Sequence, residues 1–122
     1  MTTVGILGGG QLARMLALSA DEIGRRAQTL ADRLTASGIE ANVIDGVSAI
    51  GGGSAPGRRL PTRLVSIALP ARQLESALRA ERPPVIARIE DGRVLIDLRT
   101  VSPQQDELMA ELIASGAAKL LP

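Results

Sequence analysis

The chain has 122 residues, a formal net charge of +1, and no Phe, Tyr, Trp, His or Cys. One domain of this length can bury a core but is short for a complete cofactor enzyme. The missing side chains exclude the usual His/Cys zinc site, a cysteine nucleophile, a Ser-His-Asp triad and aromatic stacking on bases. With total charge near zero, any pull on a polyanion must come from local arginine clusters.

Residues 4–7 (Val-Gly-Ile-Leu) have strand character and are followed by Gly8, Gly9 and Gly10 and a helix-like run from Gln11. Gly8, Gly10 and Ala13 fit the G-x-G-x-x-A form of a nucleotide-binding turn. That motif also needs a following parallel strand with an acidic residue, and a capped helix comes next instead, so a βα turn without ligand is the favoured reading. No cationic region precedes an apolar core, and Arg14 interrupts the apolar runs. Neither a secretory signal nor a membrane span is expected, which makes the cytoplasm the expected location.

Ser19 and Glu22 form a capping box, and Ile23, Ala27, Leu30 and Leu34 recur at helical spacing until Gly38, so a helix is expected over residues 20–37. A strand over residues 41–45 follows, then the loop Gly51-Gly52-Gly53-Ser54 with Pro56, Arg58, Arg59 and Pro61, then a strand over 63–69. Between residues 46 and 74 there are four arginines and no Asp or Glu. Two readings of this stretch stand side by side. One is an anion-handling loop whose glycine amides and guanidinium groups meet a carboxylate or phosphate. The other is a soluble connector.

A short helix marked by Leu74, Ala77 and Leu78 must end by Pro83 and Pro84. Strands over 85–90 and 93–101 are joined by Asp91-Gly92, a type I′ hairpin signal. Pairing Glu90 with Arg93 puts Val85, Ala87 and Ile89 on one face with Val94, Ile96 and Leu98. Arg88, Asp97 and Arg99 fall on the other face, where they are expected to form one cluster. Its readings are an ordinary cross-strand ion pair or a carboxylate-binding pair of arginines, Arg88 and Arg99. Ser102, Pro103 and Gln105 open a last helix that Gly116 should end. Lys119 then lies in a tail, a poor place for a Schiff base. The expected fold class is α/β, an α+β sandwich with a small, mostly antiparallel sheet and helices packed on one face. No residue is assigned a catalytic role, and no metal site is expected.

These residues carry a resemblance. From about residue 14 to 117 the chain resembles the C-terminal small domain of bacterial L-seryl-tRNA(Sec) selenium transferase, or selenocysteine synthase. The matching stretches are residues 14–18 (RMLAL), 47–56 (VSAIGGGSAP) with 60–62 (LPT), and 84–101 (PVIARIEDGRVLIDLRTV). The resemblance implies the small-domain fold of aminotransferase-class pyridoxal phosphate enzymes. In the complete enzyme it implies replacement of the seryl hydroxyl on a charged tRNA by selenium from selenophosphate. It further implies that the cofactor domain, its lysine and the tRNA-contacting region lie outside this chain, which then borders a cleft without catalysing.

Residues 3–16 (TVGILGGGQLARML) resemble instead the opening of N5-carboxyaminoimidazole ribonucleotide synthetase, an ATP-grasp enzyme. Both resemblances include residues 14–16, so the expected organisation is a purine-enzyme-like segment at 1–16, a selenium-transferase-like domain at 17–117 and a tail at 118–122. Recombination, misassembly or design would each account for such a junction. The rival functions are a nucleotide-binding remnant and an oligomerisation module in which residues 4–7 pair with a sheet edge.

Overall fold

The computed structural model describes residues 18–49 and 59–121. The expected strand at residues 4–7, the helix from Gln11 and the turn residues Gly8, Gly10 and Ala13 lie outside them, as do Gly51, Gly52, Gly53, Ser54 and Arg58. Ser19 opens helix α1 (Ala20–Ala36) with a complete capping box. Its hydroxyl accepts the Glu22 N–H at 3.1 Å, and Glu22 Oε1 accepts the Ser19 N–H at 3.0 Å. The expected stripe of Ile23, Ala27, Leu30 and Leu34 is buried. The chain leaves through Gly38, whose φ of 87° suits a residue without a side chain.

Strands β1 (Ala41–Ala49) and β2 (Arg59–Ile67) pair antiparallel from Ala41 opposite Ile67 to Ala49 opposite Arg59. Both run further toward residues 50–58 than expected, because each end of the ladder supplies the other's backbone partner. Helix α2 (Ala71–Arg79) leads to β3 (Arg88–Glu90) and β4 (Arg93–Asp97). The hairpin register is the expected one, with Glu90 opposite Arg93 and Ile89 opposite Val94. Asp91 and Gly92 have φ of 52° and 74°, the two positive values a type I′ turn requires. The sheet order is β1-β2-β4-β3, antiparallel throughout.

Three more boundaries differ from expectation, the first being β3, which begins at Arg88 and not at residue 85. Strand β4 stops at Asp97, and Leu98–Thr100 form a 3-10 turn. The Asp97 carboxylate accepts the Arg99 N–H at 3.1 Å and the Thr100 hydroxyl donates to the Asp97 carbonyl at 3.1 Å, local bonds that compete with the ladder. A second 3-10 turn (Pro103–Gln105) precedes helix α3 (Asp106–Ala118), which continues through Gly116. A Cβ on Gly116 would sit 3.0 Å from Leu78 Cδ2, so this glycine serves close packing of α3 on α2 and is not a helix stop.

The three helices among the described residues share one face of the sheet. Val65, Ile67, Val94 and Ile96 meet Ile23, Leu34, Leu74, Leu78, Met109 and Ile113 in a single core built without aromatic rings. Each such side chain contributes roughly 1.5–3 kcal/mol on burial. Arg26 of α1 pins the start of α3 by a two-pronged pair to Asp106, at 2.8 and 2.7 Å, and by donating to the Val101 carbonyl at 2.7 Å. No helix among the described residues is long and apolar enough to cross a membrane.

Candidate functional site

Where residues 49 and 59 face each other across the first hairpin, four distant segments meet on one side chain. The 3-10 turn after β4 carries Arg99 off the strand face and into the interior, leaving it 2% exposed. There its guanidinium donates to the Ser48 hydroxyl at 3.1 Å, the Leu18 carbonyl at 2.5 Å and the Pro61 carbonyl at 2.8 Å. Ser48 in turn donates to Asp97 at 2.6 Å, and Thr62 donates to the other Asp97 oxygen at 3.1 Å. Ser48 and Thr62 are themselves buried. Buried charge is tolerated only when paired and hydrogen-bonded, and this network meets that condition through hydroxyls and carbonyls.

The expected cluster of Arg88, Asp97 and Arg99 is therefore rearranged. Asp97 and Arg99 are brought together, but through Ser48 and the Arg99 backbone. Arg88 extends instead to the Val47 carbonyl at 3.0 Å, and its Nε lies 3.5 Å from Glu90. The reason is local: strand alternation ends at Asp97, so Arg99 no longer follows the face that the period of two assigned to it. Ser48 and Thr62 were missed as site residues. Their signal was a small hydroxyl on each of two strands, one on either side of the glycine stretch.

Beside this network lies a trough of about 580 Å³ between residues 44–47 of β1 and the β3–β4 hairpin, floored by Leu64 and Leu95 and bordered by Arg88, Glu90, Asp91 and Arg93. Gly46 keeps it open. A Cβ there would fall 2.4 Å from Leu64 Cδ1. The positive charge expected beside the glycine loop is partly balanced, since Arg63 pairs with Asp45 at 2.8 Å and approaches Asp21 at 3.8 Å. Arg59 lies in β2, at the root of residues 50–58. Lys119, the single lysine of the sequence, pairs with Glu81 at 3.0 Å beyond the end of α3. Among the described residues no group of His, Cys, Asp and Glu could hold a metal ion.

The residues gathered by Arg99 lie in a region shared with known proteins. A family model described as L-seryl-tRNA selenium transferase matches residues 11–102. The L-seryl-tRNA(Sec) selenium transferase of Nitratidesulfovibrio vulgaris is 44% identical over 94 residues, covering 72% of this chain and 20% of the relative. That of Geobacter sulfurreducens is 38% identical over 94 residues, with 72% and 20% covered. That of Alkaliphilus oremlandii is 33% identical over 103 residues, with 80% and 22% covered. The chain thus spans about a fifth of the length of these curated relatives. Residues 1–10 fall outside the family match. Because the match over residues 11–102 spans most of the chain and contains the Arg99 network, the chain belongs to the L-seryl-tRNA selenium transferase family.

Proposed function

We propose that this chain acts as a non-catalytic small domain of a cytoplasmic selenium transferase. In a complete enzyme it borders the cleft where a seryl-tRNA becomes a selenocysteinyl-tRNA. The observation that supports this reading is the convergence on Arg99 of Leu18, Ser48, Pro61 and Asp97, close in the chain to both ends of residues 50–58. Gly51, Gly52, Gly53, Ser54, Arg58 and Arg59 then supply amides and guanidinium groups to an anionic substrate, with Arg88 on the neighbouring trough. Arg99, buried among main-chain carbonyls, has a positioning role in this scheme.

Pyridoxal phosphate supplies the electron sink for such chemistry when it is bound to a lysine. The residues of this chain do not fit it. Lys119 is ion-paired to Glu81 at the surface, 56% exposed, and lines neither the trough nor the Arg99 network. The cofactor is therefore assigned to the part of a complete enzyme that this chain does not span.

Two measurements test the reading. Mixed with pyridoxal phosphate, the chain should give no stable absorption band of lysine-bound cofactor; a stable band abolished by Lys119→Ala would overturn it. Joined to the N-terminal four-fifths of the Nitratidesulfovibrio vulgaris relative in place of that protein's own final domain, it should restore selenocysteinyl-tRNA formation. A folded but inactive exchange protein would count against the family role.

A further inference from the structure

Strand β1 ends the sheet order, so its ladder has a neighbouring strand on one side only among the described residues. The register fixes which groups face the other side. The Ala68 N–H bonds the Glu40 carbonyl at 3.0 Å, so residues 42, 44 and 46 also bond β2, and the main-chain groups of Ala41, Val43, Asp45 and Val47 turn outward. On that edge the Val47 carbonyl takes the Arg88 donor at 3.0 Å, while Val43 and Asp45 have no main-chain partner among the described residues. The usual guards are weak here. Strand β1 contains neither Lys nor Pro, and its one charged residue, Asp45, is balanced by Arg63 at 2.8 Å. Ile44 is 37% exposed on the sheet face away from the helices, beside Leu64 and Leu95 at the floor of the trough.

We infer that this edge binds a second copy of the chain, β1 against β1, antiparallel about a two-fold axis at Ile44. In that register Val43 lies opposite Asp45 of the second copy, and the reverse, so both pairs exchange their free main-chain bonds. Ile44 meets its own counterpart at the non-bonded position between them, where side chains come closest, and extends the apolar strip of Leu64 and Leu95. Neighbouring registers are poorer. Centring the axis on Asp45 sets two carboxylates directly opposite each other, and centring it on Val43 leaves Ile44 against Asn42. The Ile44 register alone of the three pairs apolar with apolar and keeps the carboxylates apart. Arg88 on the Val47 carbonyl ends the pairing at that side, so the contact is short and the association weak. The inference stands apart from the proposed enzyme role.

Sedimentation of the full chain over a wide concentration range, with amide hydrogen exchange on the same samples, tests this. The mass should rise from monomer toward dimer, and exchange at the Val43 and Asp45 amides should slow as it does. Ile44→Lys places two like charges on the axis and should weaken the association about tenfold or more. A chain that stays monomeric throughout overturns the inference. So does a dimer that a folded Ile44→Lys variant leaves intact, because the contact then lies elsewhere. The exchange measurement needs no variant, so it decides the matter even where Ile44→Lys disturbs the sheet: a dimer whose Val43 and Asp45 amides exchange at the monomer's rate overturns the inference as well.

Discussion

Arg99 Nε donates to Ser48 Oγ at 3.1 Å, inside the domain, and the Ser48 hydroxyl donates a hydrogen bond to Asp97 at 2.6 Å. One serine hydroxyl thus stands between a buried cation and a carboxylate. Ser48→Ala leaves both charged groups short of a partner, and each unsatisfied buried group costs about 1–3 kcal/mol. Arg99→Met removes the donors to Ser48, Leu18 and Pro61 together and leaves those buried acceptors short of a partner; at about 1–3 kcal/mol for each unsatisfied group, it should cost more than Ser48→Ala. Urea unfolding of both variants should show a lower midpoint with an unchanged slope.

Gly46 and Leu64 touch across β1 and β2, with 2.4 Å between an added Cβ and Leu64 Cδ1. Gly46→Ala should therefore destabilise by about 1–3 kcal/mol through overpacking, although alanine suits a strand better than glycine. Leu64→Val in the same chain should recover part of the loss. A double-mutant cycle by thermal melting checks this, and strict additivity would count against a direct clash.

Arg26 grips Asp106 with two hydrogen bonds and the Val101 carbonyl with a third. The pair is largely shielded, with side-chain exposures of 15% and 30%. Asp106→Asn keeps the shape but weakens charge-assisted bonds, and a loss of about 1–2 kcal/mol is expected. Arg26→Lys cannot reproduce the two-pronged geometry and should lose a similar amount. Melting curves at low and high salt should differ less for this pair than for Arg79 with Glu75, which lies on an exposed helix surface.

The Ser19 N–H, then the Ser19 hydroxyl, hold the Glu22 carboxyl below its ordinary pKa. A carboxylate with a lowered pKa in the folded state stabilises fully above its unfolded-state value and loses that contribution as pH falls through the folded-state value. Stability should therefore drop on acidification through the carboxylate range, and Glu22→Gln should flatten that drop. Chemical denaturation between pH 7 and pH 3 measures the difference; parallel curves for the two proteins would refute the assignment.

Much of the fold was legible because its signals are local. The capping box of Ser19 and Glu22, the stripe of α1 and the Asp91-Gly92 turn act within a few residues of themselves, and the structure places each as the pattern required. The family was legible too, since the stretches 47–56 and 84–101 lie inside the matched region. The fate of the charged residues was not legible. A strict period of two put Arg88, Asp97 and Arg99 on one face, and nothing adjacent in sequence marks Leu18 or Pro61 as partners of Arg99, 81 and 38 residues away.

The sequence by itself therefore determined the start of α1 and its buried stripe, and the turn and register of the second hairpin, because capping, periodicity and positive-φ preferences are short-range. Only the tertiary structure decided where Arg88 and Arg99 go. The turn after Asp97 redirects the chain inward. Both arginines are drawn to carbonyls on distant strands, a demand that exists only after the sheet has formed. Gly46 and Gly116 follow the same logic: their lack of a side chain matters through Leu64 and Leu78, residues that folding alone brings near.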